Sequence, residues 1–302
     1  MGDIHLFSIK GNSVDELDGT SVAIEKSLQV TIEKNLETFL GIRFLDTEYS
    51  TGKTHGGRID TLGIDENGCP VIIEYKRASN ENVINQGLFY LDWLLDHKAE
   101  FQLKVQQKLG HKVAEQIEWS NPRLVCIAGD FTKYDVHAVQ QIHRNIGLIR
   151  YRKYDPNLLL LELVNATIVQ NDQTLKETRK KETRYKTISE YLTQCDTEIR
   201  DRYESLKAFI EALGDDVQTN VLKFYIAFKR IKNFACVEVH PQQKEIRVFV
   251  KVNPDTIQIE EGFTRDVRDI GHFGTGDLEI IIKNDKDLEK AKNLIIQSYD
   301  AN

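Results

Sequence analysis

The sequence has little of what marks a membrane or secreted protein. No apolar run in the 302 residues approaches the ~20 residues of a membrane-spanning helix, and the longest candidate, residues 158–164, is interrupted by Glu162. The first residues carry neither the basic nor the apolar segment of a secretion signal. We therefore expect a cytoplasmic protein that makes no use of a membrane.

Cysteine and histidine are too sparse and too scattered for a zinc site. The 4 cysteines show no C-x-x-C spacing, which argues against a zinc ribbon and for reduced thiols. Among the 8 histidines, His137 and His143 lie six apart and do not have the spacing of a zinc pair. The composition therefore points away from structural zinc.

The chain also lacks a surplus of positive charge. It holds 40 Lys and Arg against 47 Asp and Glu. Residues 1–165 carry 18 against 23 and residues 187–302 carry 16 against 21, whereas residues 166–186 carry 6 against 3. Non-specific DNA binders usually show a basic footprint, although a local groove or a bound metal ion can replace it. We expect weak affinity for plain duplex, so that a dimer, a partner or a short or unusual substrate must contribute.

Length and patterning predict two domains of the α/β class. Residues 1–165 should form a mixed sheet flanked by helices, and residues 187–302 a smaller α+β accessory domain with an antiparallel sheet. The basic segment 166–186 is interpreted as a solvated linker or helix, with an arm that follows phosphates as the alternative. Residues 271–276, rich in glycine, are expected to be a tight loop rather than a phosphate cradle.

Periodicity gives the order of the elements. Strands are predicted over residues 3–9, 43–50, 58–64, 71–77, 123–128, 146–153, 158–164, 221–230, 234–240, 245–252 and 277–283, with a turn-rich segment over 11–20. Helices are predicted over residues 24–41, 82–107, 134–145, 199–213 and 285–298.

Three residues on two adjacent strands indicate a specific chemistry: Asp60, Glu74 and Lys76. The segment Glu66-Asn67-Gly68 joins these strands. A two-residue Asn-Gly turn would place the two carboxylates on opposite faces of the sheet. A three-residue loop, with Gly68 in the left-handed region, places Asp60 opposite Glu74 and is the loop we predict.

Two carboxylates facing each other across a strand pair suit one small hard cation. Directly opposite side chains have Cβ atoms roughly 4.5–5.5 Å apart, and a divalent ion removes the repulsion that would otherwise protonate one carboxylate. Beside a lysine, such an ion equips a site to hydrolyse a phosphodiester. The alternative is an ordinary cross-strand ladder of ion pairs among Arg58, Asp60, Glu74 and Lys76.

Neighbouring residues extend the candidate site. Glu33 borders the buried stripe of its helix and is either a third carboxylate of the site or a solvated side chain. Gln86 and Tyr90 lie one turn apart on the helix that follows the second strand, where each either reaches the site or only caps and packs. Arg58 either contacts a substrate phosphate or pairs with Glu48 or Glu74.

Taken together, these residues resemble the PD-(D/E)XK nuclease superfamily. The segments Gly57-Arg58-Ile59-Asp60 and Glu74-Tyr75-Lys76, followed by Gln86, are similar to the catalytic domain of NucS-type endonucleases. Ile59 stands where the superfamily's name has proline. Residues 262–299, with Ile270-Gly271-His272-Phe273-Gly274, resemble a domain of unknown function often found after such modules.

The resemblance implies a Mg²⁺- or Mn²⁺-dependent endonuclease. Asp60 and Glu74 would be metal ligands with the Tyr75 carbonyl, and Lys76, Gln86 and Glu33 would complete the catalytic set. DNA is a more natural substrate than RNA, and a homodimer is possible. The alternative function is a catalytically silent module that binds nucleic acid or assembles a protein complex.

Overall fold

A mixed sheet forms the core of the N-terminal half. The computed structural model of the protein describes residues 4–20, 26–75, 83–155, 157–167 and 187–302. The elements of this half are β1 Leu6–Lys10, β2 Ser13–Leu17, α1 Lys26–Lys34, α2 Leu36–Leu40, β3 Ile42–Ser50, α3 Gly52–His55, β4 Arg58–Asp65, β5 Pro70–Tyr75, α4 Val83–Asp96, α5 Lys98–Leu109, α6 His111–Glu115, β6 Arg123–Ala128, α7 Lys133–Gln141, β7 Asn145–Lys153 and β8 Leu159–Thr167.

Six strands are ordered β3-β4-β5-β6-β7-β8 across this sheet. The pairs β5–β6 and β6–β7 are parallel, and the outer pairs are antiparallel. Helices α1 and α2 cover one face through Ile32, Leu36 and Leu40, and α4 covers the other through residues such as Leu91 and Leu94. Every residue of β5 is buried, as its apolar composition predicts for a strand covered on both faces.

The C-terminal half is built on an antiparallel sheet. Its elements are α8 Ile188–Gln194, α9 Thr197–Glu211, β9 Gln218–Val221, β10 Ile226–Lys229, β11 Asn233–His240, β12 Glu245–Val250, a 3₁₀ turn Pro254–Thr256, β13 Thr264–Asp266, β14 Leu278–Ile282 and α10 Asp285–Asp300. The strand order is β13-β14-β12-β11-β10-β9, and α8, α9 and α10 pack their apolar side chains against one face. The predicted fold class, a mixed α/β sheet followed by an α+β domain, is confirmed.

Several predicted elements are wrong in extent because a periodic pattern continues across a break. The helix predicted over 24–41 is two helices, since Asn35 leaves the helical region at φ −125° while the apolar stripe resumes at Leu36. The helix predicted over 82–107 divides at His97, whose φ is −113° and ψ is 36°. Residues 24, 25 and 82 lie outside the described residues.

The predicted strands differ in the same way. The strand predicted over 221–230 is a hairpin of β9 and β10, closed by a hydrogen bond from the Leu222 amide to the Tyr225 carbonyl at 3.0 Å. The first strand lies at Leu6–Lys10, and the segment predicted to be turn-rich contains β2. The helix predicted over 134–145 is Lys133–Gln141, begun by a Thr132–Asp135 capping box.

The ends of β5 and β8 bear on the predicted site and linker. β5 is described as far as Tyr75, so Lys76 and Arg77 lie outside the described residues. β8 extends to Thr167, two residues into the segment predicted as linker, and residues 168–186 lie outside the described ranges. Within the part of the chain that is described, every helix is too short or too polar to cross a bilayer.

Candidate metal and nucleic-acid site

The loop between β4 and β5 sets the register of the candidate site. The Asp65 amide donates to the Cys69 carbonyl at 2.9 Å, and the Gly68 amide donates to the Asp65 carbonyl at 3.0 Å. Gly68 has φ 78°, the left-handed conformation that this loop requires and that glycine adopts without strain. The side-chain oxygen Oδ1 of Asp65 also accepts the amides of Asn67 and Cys69 at 2.9 Å each. The predicted three-residue loop is confirmed.

This register brings Asp60 and Glu74 together where the two strands begin to separate. The last paired residues are Thr61 and Ile73, so the next pair in the same register is Asp60 and Glu74. At this pair, hydrogen bonds between side chains and main chains replace the main-chain hydrogen bonds of the strand ladder. The Asp60 amide donates to Glu74 Oε1 at 3.1 Å, and the Tyr75 amide donates to Asp60 Oδ2 at 3.0 Å. Each carboxylate therefore accepts a main-chain amide of the opposite strand, and the two acidic side chains lie next to each other.

Glu74 is buried in a way that disfavours its charge. Its exposed fraction is 1%. The pKa of Glu74 is raised to about 9, first by burial and then by Coulomb repulsion from Asp60 and Glu48, while the hydrogen bond from the Asp60 amide opposes the rise. A cation beside Asp60 and Glu74 would lower this pKa again. The electrostatics of the pair therefore suit a bound divalent ion.

Glu48 is an acidic neighbour that the sequence suggested only as a partner of Arg58. It lies on β3 with φ 52°, a left-handed conformation that is uncommon for a residue with a side chain. Its Oε2 lies 2.5 Å from Nε of Arg58. The predicted alternative that Arg58 pairs with Glu48 is confirmed, and the arginine remains 65% exposed. The guanidinium thus sits at the surface beside the acidic pair.

Tyr90 and Gln86 of α4 also line the site. The Tyr90 hydroxyl accepts a hydrogen bond from the Arg58 amide at 3.1 Å and another from Nε2 of Gln86 at 3.1 Å. The Tyr90 ring is buried against Gly57, where an added Cβ would lie 2.4 Å from Cε1 of the ring. The glycine of the Gly57-Arg58-Ile59-Asp60 motif therefore allows α4 to approach the start of β4.

An open cleft of about 810 Å³ lies between these elements. It is lined by Ser50, Gly52, Lys53, Gly56, Gly57, Arg58, Asp60, Tyr75, Gln86 and Tyr90. The Tyr75 ring packs into the core beneath α1 and α2, and the Tyr75 amide donates to Asp60, which also lines the cleft. Asp60, Arg58, Gln86 and Tyr90, all predicted from the sequence, thus border one opening.

Glu33 is placed apart from this cleft. Its Oε1 accepts hydrogen bonds from Thr61 Oγ1 at 2.6 Å, Thr47 Oγ1 at 2.9 Å and Gln29 Nε2 at 3.0 Å. Thr61 pairs with Ile73, whose side chain packs beneath α1 and α2. Glu74, the next residue, shares instead the face of Ile72 beneath α4, because side chains alternate along a strand. Glu33 therefore supports β3 and β4 from the face opposite to Glu74.

The donor set of the cleft fits a hard divalent cation. Within the described ranges, no group of three or more His, Cys, Asp or Glu side chains is placed to hold a metal ion. The carboxylate oxygens available are those of Asp60, which lines the cleft, and of the buried Glu74 beside it. Mg²⁺ is commonly held by one or two carboxylates, with waters and substrate phosphates completing its shell. The residues present thus fit Mg²⁺ or Mn²⁺ better than zinc, which takes nitrogen and sulfur ligands in most sites.

Comparison with known proteins finds a match to a family model in the C-terminal half. Residues 188–302 match the family described as "Domain of unknown function (DUF5655)". This match confirms the resemblance seen in residues 262–299 and extends it to the whole C-terminal half. Over 304 aligned residues, the chain is 29% identical to an uncharacterized protein of Haemophilus influenzae, covering 97% of this chain and 98% of the relative.

Among solved structures, the chain is similar to one described as the structure of an EndoMS–dsDNA2 complex. The sequence identity is 14%, the match covers 49% of this chain and 64% of that chain, and the TM-score is 0.25. A likeness at this level assigns neither a fold nor an activity.

Proposed function

We propose that the protein is a divalent-metal-dependent nuclease of the PD-(D/E)XK type, acting as an endonuclease on DNA more readily than on RNA. The observation that carries the proposal is the exchange of hydrogen bonds between the Asp60 and Glu74 carboxylates and the main chains of the opposite strands. It fixes Asp60 at the edge of an open cleft, with the buried Glu74, whose pKa is raised, directly beside it. A permanent ion-pair ladder would not need a buried acid that resists ionisation.

Asp60 and Glu74 would hold Mg²⁺ or Mn²⁺, with the Tyr75 carbonyl as a further ligand. When bound, the ion supplies Lewis acidity for the scissile phosphate and lowers the pKa of an attacking water. Lys76 follows Tyr75 in the sequence and is assigned to orient that water or to balance charge that develops on the phosphate. The main-chain hydrogen bonds at Asp60 and Tyr75 keep the two carboxylates in place while the phosphate binds.

The remaining residues position the substrate. The Gln86 amide is exposed and is held toward the cleft by its bond to Tyr90. It is assigned to contact a water or a phosphate oxygen. Tyr90 fixes the Arg58 main chain, and the exposed Arg58 guanidinium would exchange Glu48 for a phosphate. Glu33 holds Thr47 and Thr61 and so supports the main chain beside Asp60.

The test is cleavage of single-stranded, branched and mismatched DNA and of a matched RNA, with Mg²⁺ or Mn²⁺ and with EDTA. We expect metal-dependent internal cleavage that Asp60→Asn and Glu74→Gln each reduce by at least about a hundredfold, as expected when transition-state charge stabilisation is lost. Glu37→Gln is the matched control, because Glu37 is an exposed acid that does not line the cleft. Equal cleavage by wild type and Asp60→Asn would remove the assignment.

The competing proposal is a nuclease fold kept as a binding or assembly module. The acidic balance of both halves favours it, as does the capacity of Glu74 to remain neutral without a metal ion. Calorimetric titration with Mn²⁺ separates the two, because a module without metal chemistry should bind Mn²⁺ no better than its Glu74→Gln variant. In either case, we assign recognition of the substrate or of a partner to the C-terminal half. We also propose a homodimer, which a measurement of molecular mass in solution tests.

A further inference from the structure

A row of aromatic rings on α3 and α4 lies beside residues that line the cleft, since the Phe89 ring is 6.1 Å from the ring of the cleft residue Tyr90. The rings of His55 and Phe89 have centroids 5.3 Å apart, and those of His55 and His97 lie 5.7 Å apart in an edge-to-face arrangement. His97 in turn stacks on Trp93, with centroids 4.8 Å apart and planes within 17°. We call His55, Phe89 and His97 the aromatic shelf. It leads from a buried tryptophan to the molecular surface.

The inner part of the shelf is fixed by the core. Trp93 is fully buried, and its ring packs against Tyr49 at a centroid distance of 5.6 Å. Nδ1 of His97 lies 2.8 Å from the Trp93 carbonyl, so its N–H donates to that oxygen and fixes the orientation of the imidazole. A surface aromatic group supported in this way loses little conformational entropy when a ligand stacks on it.

The outer part of the shelf is open and lies next to the cleft. Phe89 is 48% exposed, although its ring is wholly apolar. It directly precedes Tyr90 and follows Gln86 by three residues on the same helix, and both of these residues line the cleft. His55 ends the short helix whose Gly52 and Lys53 line the cleft from the other side. A ligand in the cleft would therefore pass beside Phe89.

We propose that the aromatic shelf stacks an unpaired base of a single-stranded nucleic acid whose backbone runs through the cleft. The proposal rests on the proposed nuclease function and names its substrate class. Every base offers an aromatic face, and stacking on protein rings binds single strands without regard to sequence. In an intact duplex those faces are covered by neighbouring base pairs. Stacking also supplies affinity that does not depend on a basic surface, which suits a chain whose net charge is −7.

The test measures binding without cleavage. Labelled oligodeoxythymidine of about 12 nucleotides, matching oligouridine and a blunt duplex of the same length are titrated in EDTA. Phe89→Ala should weaken single-strand binding by about tenfold, because one stacked base is lost, and should leave duplex binding unchanged. Phe89→Trp should restore it. Tyr134→Ala is the matched control, since Tyr134 is a 73% exposed aromatic residue of α7, a helix that contributes no residue to the cleft, whereas Phe89 lies on α4 with Gln86 and Tyr90.

The outcomes separate this inference from the proposed function. A selective loss of single-strand affinity in Phe89→Ala supports the shelf even if no cleavage is detected with Mg²⁺. Unchanged single-strand affinity, an equal loss on the duplex or an absence of single-strand binding by wild type overturns it, even if metal-dependent cleavage is present. Thermal unfolding of each variant shows that the fold is intact.

Discussion

Glu74 illustrates at the scale of one residue how a buried acid links protonation to stability. Its pKa in the folded protein is about 9, raised first by burial and then by Asp60 and Glu48, whereas an unfolded chain gives a glutamate about 4.3. Between these values the folded protein binds more protons at Glu74 than the unfolded chain does. The contribution of Glu74 to the free energy of unfolding is therefore complete below about pH 4 and is lost as pH rises toward about 9.

Replacing Glu74 with glutamine should remove its contribution to the pH dependence of the free energy of unfolding. In EDTA, the free energy of unfolding of wild type should fall relative to that of Glu74→Gln by on the order of 1 kcal/mol for each pH unit between about pH 5 and pH 7. Urea unfolding at several pH values measures the difference between the two proteins, so that titrations common to both cancel. Mn²⁺ should diminish the slope of wild type, since a cation lowers the pKa of Glu74.

Glu37→Gln serves as the comparison in the same experiment, because its carboxylate is exposed. The free energy of unfolding of Glu37→Gln should change with pH as that of wild type does. Parallel curves for wild type and Glu74→Gln would show that Glu74 ionises freely in the folded protein, and the electrostatic case for a cation beside it would be lost.

At the scale of elements, the hairpin of β4 and β5 was the most predictable part of the site. Parity and one glycine were enough to choose its loop, because a shift of one residue would have sent Asp60 and Glu74 to opposite faces. The extents of the helices were not predictable in the same way. The apolar stripe of α1 continues through Leu36 and Leu40 of α2, and the pattern contains no mark of the break at Asn35.

The parts of the site that sequence did not place depend on tertiary contacts. The sequence pattern placed Glu33 beside a buried stripe of its helix. The face of the sheet that Glu33 contacts is decided by its hydrogen bonds with Thr47 and Thr61, which the spacing of residues in the sequence does not predict. The left-handed Glu48 and the tight contact of Gly57 with Tyr90 are likewise properties of the assembled sheet and α4. The glycine of the Gly57-Arg58-Ile59-Asp60 motif was the one available signal for that contact.

The Gly68 loop gives a prediction at this scale. Alanine at this position must adopt φ 78°, and its Cβ would lie 3.0 Å from the Gln116 carbonyl oxygen. We expect Gly68→Ala to lower the free energy of unfolding by about 1–3 kcal/mol and Gly68→Asn by less, because asparagine tolerates the left-handed region. Gly147→Ala is the control, since an added Cβ there meets no atom within 4 Å. Equal stability of Gly68→Ala and wild type in urea would show that the left-handed glycine is not required.

At the scale of the whole molecule, the loop that sets the register of the site also contacts the C-terminal half. The Asn67 side-chain oxygen accepts hydrogen bonds from Nδ2 of Asn233 at 2.7 Å and from the Tyr225 hydroxyl at 3.0 Å. The adjacent Glu66 accepts the Asn233 amide at 2.9 Å and pairs with Lys251. The C-terminal half thus binds the loop whose geometry aligns Asp60 with Glu74. These direct contacts connect the C-terminal sheet to the candidate site.

This contact should be energetically coupled to folding. Asn67, Tyr225 and Asn233 are all buried. Asn67→Ala removes the acceptor of the Tyr225 hydroxyl and the shortest hydrogen bond of the Asn233 side-chain amide, and it should lower the free energy of unfolding by about 1–3 kcal/mol. Tyr225→Phe removes one of these donors. In the Asn67→Ala background it should therefore cost less than it does in wild type, or even stabilise the protein.

A double-mutant cycle in urea measures that difference as a coupling energy, which we expect to be about 0.5–3 kcal/mol for groups in contact. Thr193→Ala with Asn67→Ala is the reference pair, because the Thr193 hydroxyl is exposed on α8 and bonds only locally to the Glu190 carbonyl. Additive effects of Asn67→Ala and Tyr225→Phe would mean that this contact between the two halves contributes no coupling energy to stability. A positive coupling would instead make the accessory domain part of what holds the acidic pair of the cleft in register.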